Sequence, residues 1–258
     1  MENLGVFPFG QQILPIVQKD RTKKRVFVLG VYASAVHARW VGKDGRQKIG
    51  AIAIASEPEI FWRGSRDVAQ KIISAIRLPS AGHLAAANDQ LNGPSGKALD
   101  ELFLMPLGLS RDDAWLCDLV PHSCKNEKQV IALQREYDPV RESLGLPNYD
   151  WPSLPRKLTD PVRRMEIERE LLDSGADTVV TLGDQPLKWF TSFYGTSAEL
   201  SAYGKSPNEY GQLHSMTVAG RKFNLIPLVH PRQAARLGSH SADWADLHDA
   251  WVTSPPKM

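Results

Sequence analysis

Four short apolar runs, at residues 26–29, 113–120, 178–182 and 222–229, limit what this chain can become more than any other feature of it. Each is rich in β-branched or aromatic residues. Each stops at a strand breaker: Gly30, Pro121, Gly183 and the pair His230-Pro231. Such short, apolar runs read as strands of a buried parallel sheet. The stretches between them carry helical spacing. Residues 67–77 fit one amphipathic helix, and Ser95 can cap another that turns Ala98, Leu99, Leu102 and Phe103 to one side. Asp160 is an N-cap followed by Pro161 at N1, opening a helix with Val162, Met165, Leu171 and Leu172 inward and an end near Gly175. Gly183-Asp184 starts a helix bearing Leu187 and Phe190, and Ser241 opens the last, with Trp244, Leu247 and Trp251 at helical spacing. Strands alternating with helices predict an α/β fold: a three-layer α/β/α sandwich around a mostly parallel central sheet.

At 258 residues, 42% hydrophobic and 23% charged, the chain can bury one sizeable core. The expected organisation is a packed N-terminal arm over 1–24, a single domain over 25–252 and a tail over 253–258. A formal net charge of +2 neither requires nor excludes a nucleic-acid partner, because binding needs a local basic patch. Cys117 and Cys124, the only two cysteines, cannot by themselves build a four-thiolate zinc or iron–sulfur site. No metal or other cofactor is expected. No apolar run is long enough to cross a bilayer and no stretch reads as a signal peptide, so the expectation is a cytoplasmic monomer.

In open α/β sheets ligands sit outside the carboxyl ends of the strands. Here those ends are residues 30–35, 118–126, 183–185 and 230–232. Pro231 fixes the exit from the last run and keeps His230 out of helical geometry, so one imidazole is delivered to a strand tip. It can donate a hydrogen bond into a cleft; the plain alternative is a histidine that caps a local carbonyl. Two further runs, 36–40 and 49–54, flank a Gly42–Gly45 turn and read as a hairpin. After them comes an unusual polar and aromatic turn, Glu57-Pro-Glu59-Ile-Phe61-Trp62.

The order and spacing of these ends resemble the uracil-DNA glycosylase superfamily over residues 25 to 252. Gly30-Val-Tyr32-Ala33-Ser34 sits where that family has its Gly-x-x-Pro loop, which positions the attacking water. The stretches 93–100 and 108–120 look like the helix and strand that lead to the base-reading residue, which falls on Asp118. Residues 179–184 are similar to the family's next strand and turn, and His230-Pro231 matches its His-Pro-Ser-type motif. The resemblance implies a DNA glycosylase, a hydrolase of base excision that extrudes a nucleotide and cleaves its N-glycosidic bond. His230 would stabilise the charge on the departing base. Gly30, Tyr32, Ala33 and Ser34 would line the base site, with Leu91 in the place of a stacking aromatic.

The departures from the family pattern point to a substrate other than plain uracil. Relatives that excise uracil carry Asn at the Asp118 position, and an ionised Asp only accepts hydrogen bonds, which suits an exocyclic amine. Its plain alternative is a strand carboxylate satisfied by backbone N–H groups. The gate against bulky 5-substituents in some relatives is a Tyr at the position of Ser34. The expected substrate is therefore a cytosine-type or bulky 5-modified base, as in modified phage DNA, with a role in phage defence. The family's acidic or amide water-positioning residue is absent, since Val31 and Tyr32 fill those slots and Ala33 replaces the proline. Glu57, Glu59 and His37 are the candidate water-activating groups, with Phe61 or Trp62 a stacking partner; the carboxylates read equally well as surface or helix-start groups. Ser95, Lys97, His122, Lys125, Arg232 and Arg236 are candidate DNA contacts, of which His122 and Lys125 also fit a solvated loop. His248 reads as structural. The rival readings are a catalytically silent DNA-binding module and a hydrolase of free nucleosides or nucleotides.

Overall fold

The computed structural model describes residues 3–78, 82–237 and 242–257. In chain order the strands are β1 (Val26–Tyr32), β2 (Ala35–Gly42), β3 (Gln47–Ser56) and β4 (Gly82–Ala86), then β5 (Ala114–Val120), β6 (Thr178–Leu182), β7 (His214–Val218) and β8 (Arg221–Leu228). The α-helices are α1 (Arg66–Ser74), α2 (Pro94–Ala98), α3 (Glu127–Ala132) and α4 (Asp138–Arg141), then α5 (Pro161–Ser174), α6 (Asp184–Trp189), α7 (Pro231–Ala234) and α8 (Ala242–Thr253). Ser241, expected to open the last helix, lies outside the described residues. Among the described residues no helix is long and apolar enough to cross a membrane.

The chain divides into two compact units where one domain was expected. One comprises residues 1–16, 33–94 and 122–155, the other 17–32, 95–121 and 156–258. The crossings at 32/33 and 121/122 fall directly after β1 and β5, with no linker between, so composition gives no sign of a boundary.

The second of these units holds a mixed, mostly parallel sheet in the order β5-β1-β6-β8-β7, in which only β7 runs antiparallel, to β8. All residues of β5 and β6 are buried, as are Val26 to Leu29 of β1, which explains the uninterrupted apolar runs. Burying a side chain such as Phe27 contributes roughly 1.5–3 kcal/mol, and Phe27→Ala would cost about 3–5 kcal/mol. The start of α5 is as expected: the Asp160 side chain accepts from Arg163 N, and Pro161 occupies the first turn. Its inward face is as expected at Leu171 but not in the first turn. Val162 and Met165 are 65% and 63% exposed, and Ile167, Leu171 and Ser174 are the buried set. The buried stripe starts one turn later because Arg163 takes the inward position in the first turn. Helix α2 begins at Pro94, so Ser95 lies in its first turn and not at its cap, and the helix continues as a π-helical turn over Leu99–Leu104.

The first unit contains a three-stranded antiparallel sheet, β3-β2-β4. The expected hairpin is β2–β3; β4 was not foreseen. Phe7, Phe9, Trp40, Ile54, Tyr137 and Trp151 belong to its core, so the N-terminal arm is an integral part of this unit. Trp62 is 3% exposed and packs in the same core, which corrects its reading as a stacking partner. The stretch 138–160 is largely irregular, but Asn126 and Gln129 form a capping box that opens α3 just before it.

Candidate functional site

In the mostly parallel sheet, β1 lies between β5 and β6, so successive connections leave it in opposite directions. That arrangement is a topological switch point, where a crevice opens beyond the carboxyl ends of the strands. A hollow of about 240 Å³ lined by Lys24, Arg25, Gly175, Asp177 and Thr178 opens at the opposite, amino-terminal edge. Asp118 and His230 stand at the carboxyl edge instead.

Asp118 is 4% exposed and pairs in register with Gly30. Arg163 of α5 donates to the Asp118 carbonyl at 2.6 Å and the Leu119 carbonyl at 3.0 Å, and its Nη2 lies 3.5 Å from Cys117 Sγ. Cys117 thus faces Arg163, and the two-residue period of a strand turns the Asp118 carboxyl to the other face. The neighbour of Asp118 on that face is Gly30, which brings no side chain against the carboxyl. Tyr32, two residues on, presents its ring on the same side. Burial pushes Asp118 up to about 7, with the Arg163 charge opposing. The carboxyl is therefore not the fully ionised acceptor that the sequence suggests; near neutral pH both forms are populated.

His230 is half-buried and closes the end of β8 as the N-cap of α7. Its Nδ1 accepts from Arg232 N at 3.2 Å. In the neutral ring the proton then sits on Nε2, a donor. Through Nδ1 the histidine caps an amide. Gly183 lies against it: the Gly183 N–H donates to the Leu228 carbonyl at 2.7 Å, and a Cβ on Gly183 would stand 3.4 Å from that of His230.

Asp118 and His230 share one sheet edge but not adjacent strands, because β1 and β6 lie between β5 and β8. Three strand spacings put them roughly 14 Å apart across the sheet. The two side chains therefore do not project from neighbouring strands. A ligand touching both would lie over the ends of β1 and β6.

No protein-family model matches the chain, and no curated protein is significantly similar to it. Residue geometry alone therefore carries the functional argument.

Of the other candidates, Gly30, Tyr32, Ser95, Lys97, Arg232 and Arg236 belong to the unit with Asp118 and His230. Lys97 is exposed and Arg232 half-buried. Arg236 is exposed and ion-paired within its own unit. Its Nη2 lies 2.7 Å from Asp246 and 2.6 Å from Asp249, so the local charge is already more than neutralised.

Glu57, Glu59, Ala33, Ser34, Phe61, Leu91, His122 and Lys125 belong to the unit with the three-stranded sheet, as does His37. Several gather at one end of the β2–β3 hairpin. Ala35 pairs with Ser56, so Ser34 and Glu57 flank the same rung. Asn92 holds His37 by both backbone groups, accepting its N–H at 2.8 Å and donating to its carbonyl at 3.0 Å. His37 Nδ1 donates to the Ala35 carbonyl at 2.8 Å, which places the lone pair of the neutral ring on Nε2, as a general base requires. Glu57 is buried, whereas Glu59 is exposed, so the surface reading holds for Glu59 and fails for Glu57. Phe61 is half-buried in a left-handed conformation, φ 50°. The backbones of Gly64 and Gly93 meet so closely that a Cβ on either would fall 2.1 Å from the other strand of chain, which ties the Phe61 turn to the loop carrying Leu91. His122 Nδ1 lies 3.2 Å from the Ser123 carbonyl, and the Lys125 ammonium sits 5.5 Å from the Tyr149 ring.

Sequence reasoning missed Arg163, Asn92 and Tyr210. Arg163 carries no motif, Asn92 reads as loop punctuation, and Tyr210 stands in a polar linker. Each does its work through backbone atoms of distant residues, which no local pattern records.

Proposed function

We propose that this chain is a DNA glycosylase that cleaves the N-glycosidic bond of a flipped pyrimidine, with a three-layer arrangement of the uracil-DNA glycosylase type. The observation that carries the reading is a single sheet edge bearing a buried carboxyl beside a side-chain-free Gly30 and, beyond β1 and β6, an imidazole whose proton faces away from its own cap. Extruding a base from a duplex costs a few kcal/mol and brings it to such an edge. As the bond breaks, its electron pair moves onto the base and positive charge develops on the sugar. The His230 Nε2–H would donate to a base carbonyl as it gains that charge, a contact whose loss costs roughly 3 kcal/mol. Water adds to the sugar carbon, and the proton it gives up passes to a general base or to solvent.

Asp118 supplies the choice of substrate. Protonated, it donates once and accepts once, and so matches either a cytosine or a uracil edge. Ionised, it only accepts, which favours the exocyclic amine of cytosine and repels a uracil carbonyl. By the sequence resemblance, the small Ser34 stands where some relatives carry a Tyr gate, which favours a 5-substituted cytosine of the kind found in modified phage DNA. Discrimination should rise as pH passes through about 7. Abasic-site formation on oligonucleotides bearing uracil, cytosine or 5-substituted cytosine tests the reading. Preference for plain uracil at pH 8 sinks it.

A silent DNA-binding module is the second reading, favoured by Val31 and Tyr32 in place of an acidic loop residue. It predicts salt-sensitive duplex binding without abasic sites on any substrate.

A further inference from the structure

We infer that Tyr210 and His248 are positioning residues for His230, acting through the peptide N–H of Val229. The inference rests on the reading of His230 as the donor to the departing base, but the link itself is set by hydrogen-bond direction. The Val229 N–H can only donate, so the Tyr210 oxygen, 2.9 Å away, accepts. The Tyr210 hydroxyl proton then points to His248 Nδ1 at 2.8 Å, which must accept. That leaves the imidazole proton on Nε2, 3.0 Å from the Leu102 carbonyl oxygen. Every donor in the chain finds an acceptor, and one tautomer satisfies all of them.

The surroundings keep His248 neutral. Its ring lies 4.4 Å from that of Phe103 and stacks at 5.2 Å on that of Trp251, and both His248 and Tyr210 are at most 1% exposed. Burial lowers His248 to about 4. Trp251 also donates from Nε1 to the Gly211 carbonyl at 3.1 Å, so α8 grips the Tyr210-Gly211 turn at two points. Two polar side chains inside an aromatic cluster are not required for packing, since apolar groups of the same shape could serve there at little cost. Their hydrogen bonds link the Val229 amide, just before His230, to the Leu102 carbonyl. With the Leu228 carbonyl taken by Gly183, the Leu228–Val229 peptide is held at both its carbonyl and its N–H. Loss of the hydroxyl leaves that buried N–H without its acceptor, and a shift of the peptide toward another one moves Val229 and, through it, the His230 Cα.

The test is Tyr210→Phe in the full chain, with Thr159→Ala as a control, because Thr159 hydrogen-bonds only the Trp189 carbonyl among the bonds described. Histidine-selective ¹⁵N NMR should show the His230 ring resonances displaced in Tyr210→Phe and unmoved in Thr159→Ala. The rate of abasic-site formation at saturating substrate should fall about tenfold with KM changed less than twofold, as a small misplacement of a catalytic group produces. His248→Gln keeps the tyrosine and should move the same resonances by less, which also decides the matter if Tyr210→Phe does not fold. His230 resonances unmoved in both variants overturn the inference. If the wild-type protein forms no abasic sites, the glycosylase reading fails, while the His230 spectrum still decides whether Tyr210 positions it.

Discussion

Gly183 and His230 pack backbone to side chain at the carboxyl edge of the sheet, where a Cβ on the glycine would lie 3.4 Å from the histidine Cβ and 3.6 Å from its nitrogen. Gly183 has φ 92° and ψ −176°, a region that side chains other than hydrogen do not tolerate. Gly183→Ala is therefore expected to destabilise the protein by about 1–3 kcal/mol, read as a lowered urea midpoint. It should also shift the His230 resonances, because the new methyl group would stand in van der Waals contact with the His230 Cβ.

Asp118 gives a pH-dependent signature. Its folded value, about 7, lies above the ordinary 3.8, so its contribution to stability is fully present below about pH 4 and is lost as pH rises through about 7. Asp118→Asn removes the cost of a buried charge. The variant should match the wild type below pH 4 and exceed it at pH 8 by a few kcal/mol in urea unfolding. It should also shift base preference toward uracil.

Arg163 binds two backbone carbonyls of β5 and lowers the Asp118 carboxyl electrostatically. Arg163→Gln should destabilise the fold by about 2–3 kcal/mol and move the Asp118 titration, followed by ¹³C NMR of the carboxyl, to higher pH. A titration that stays in place would show that the guanidinium acts on the strand alone.

In the three-stranded sheet, Asn92 pairs with both backbone groups of His37. Asn92→Ala leaves a buried N–H and carbonyl without these partners and should cost about 2–4 kcal/mol, measured by thermal unfolding. Glu59→Gln, on an exposed side chain, should stay within about 0.5 kcal/mol of the wild type.

The parallel strands are legible in the sequence because a strand buried on both faces must be apolar throughout, as at Val26 to Leu29 and Thr178 to Leu182. The Asp160-Pro161 helix start and the β2–β3 hairpin are legible because capping and turn chemistry are local. Strand order is not: nothing near Asp118 or His230 says that β1 and β6 separate them. The inward face of α5 is missed for a related reason. Val162 and Met165 have the right spacing, but Arg163 takes the inward place because β5 offers carbonyls there. Tyr210 and His248 are 38 residues apart and meet only in the folded chain, so their chemistry leaves no pattern to read.

The most direct measurement is abasic-site formation at pH 8 on duplexes carrying a single uracil, cytosine or 5-substituted cytosine, by the wild type, His230→Ala and Asp118→Asn. The account predicts cleavage of the 5-substituted cytosine substrate by the wild type, a loss of about 10²–10³-fold in His230→Ala, and a turn toward uracil in Asp118→Asn. Equal cleavage by the wild type and His230→Ala, or no abasic sites on any of the three duplexes, would contradict it.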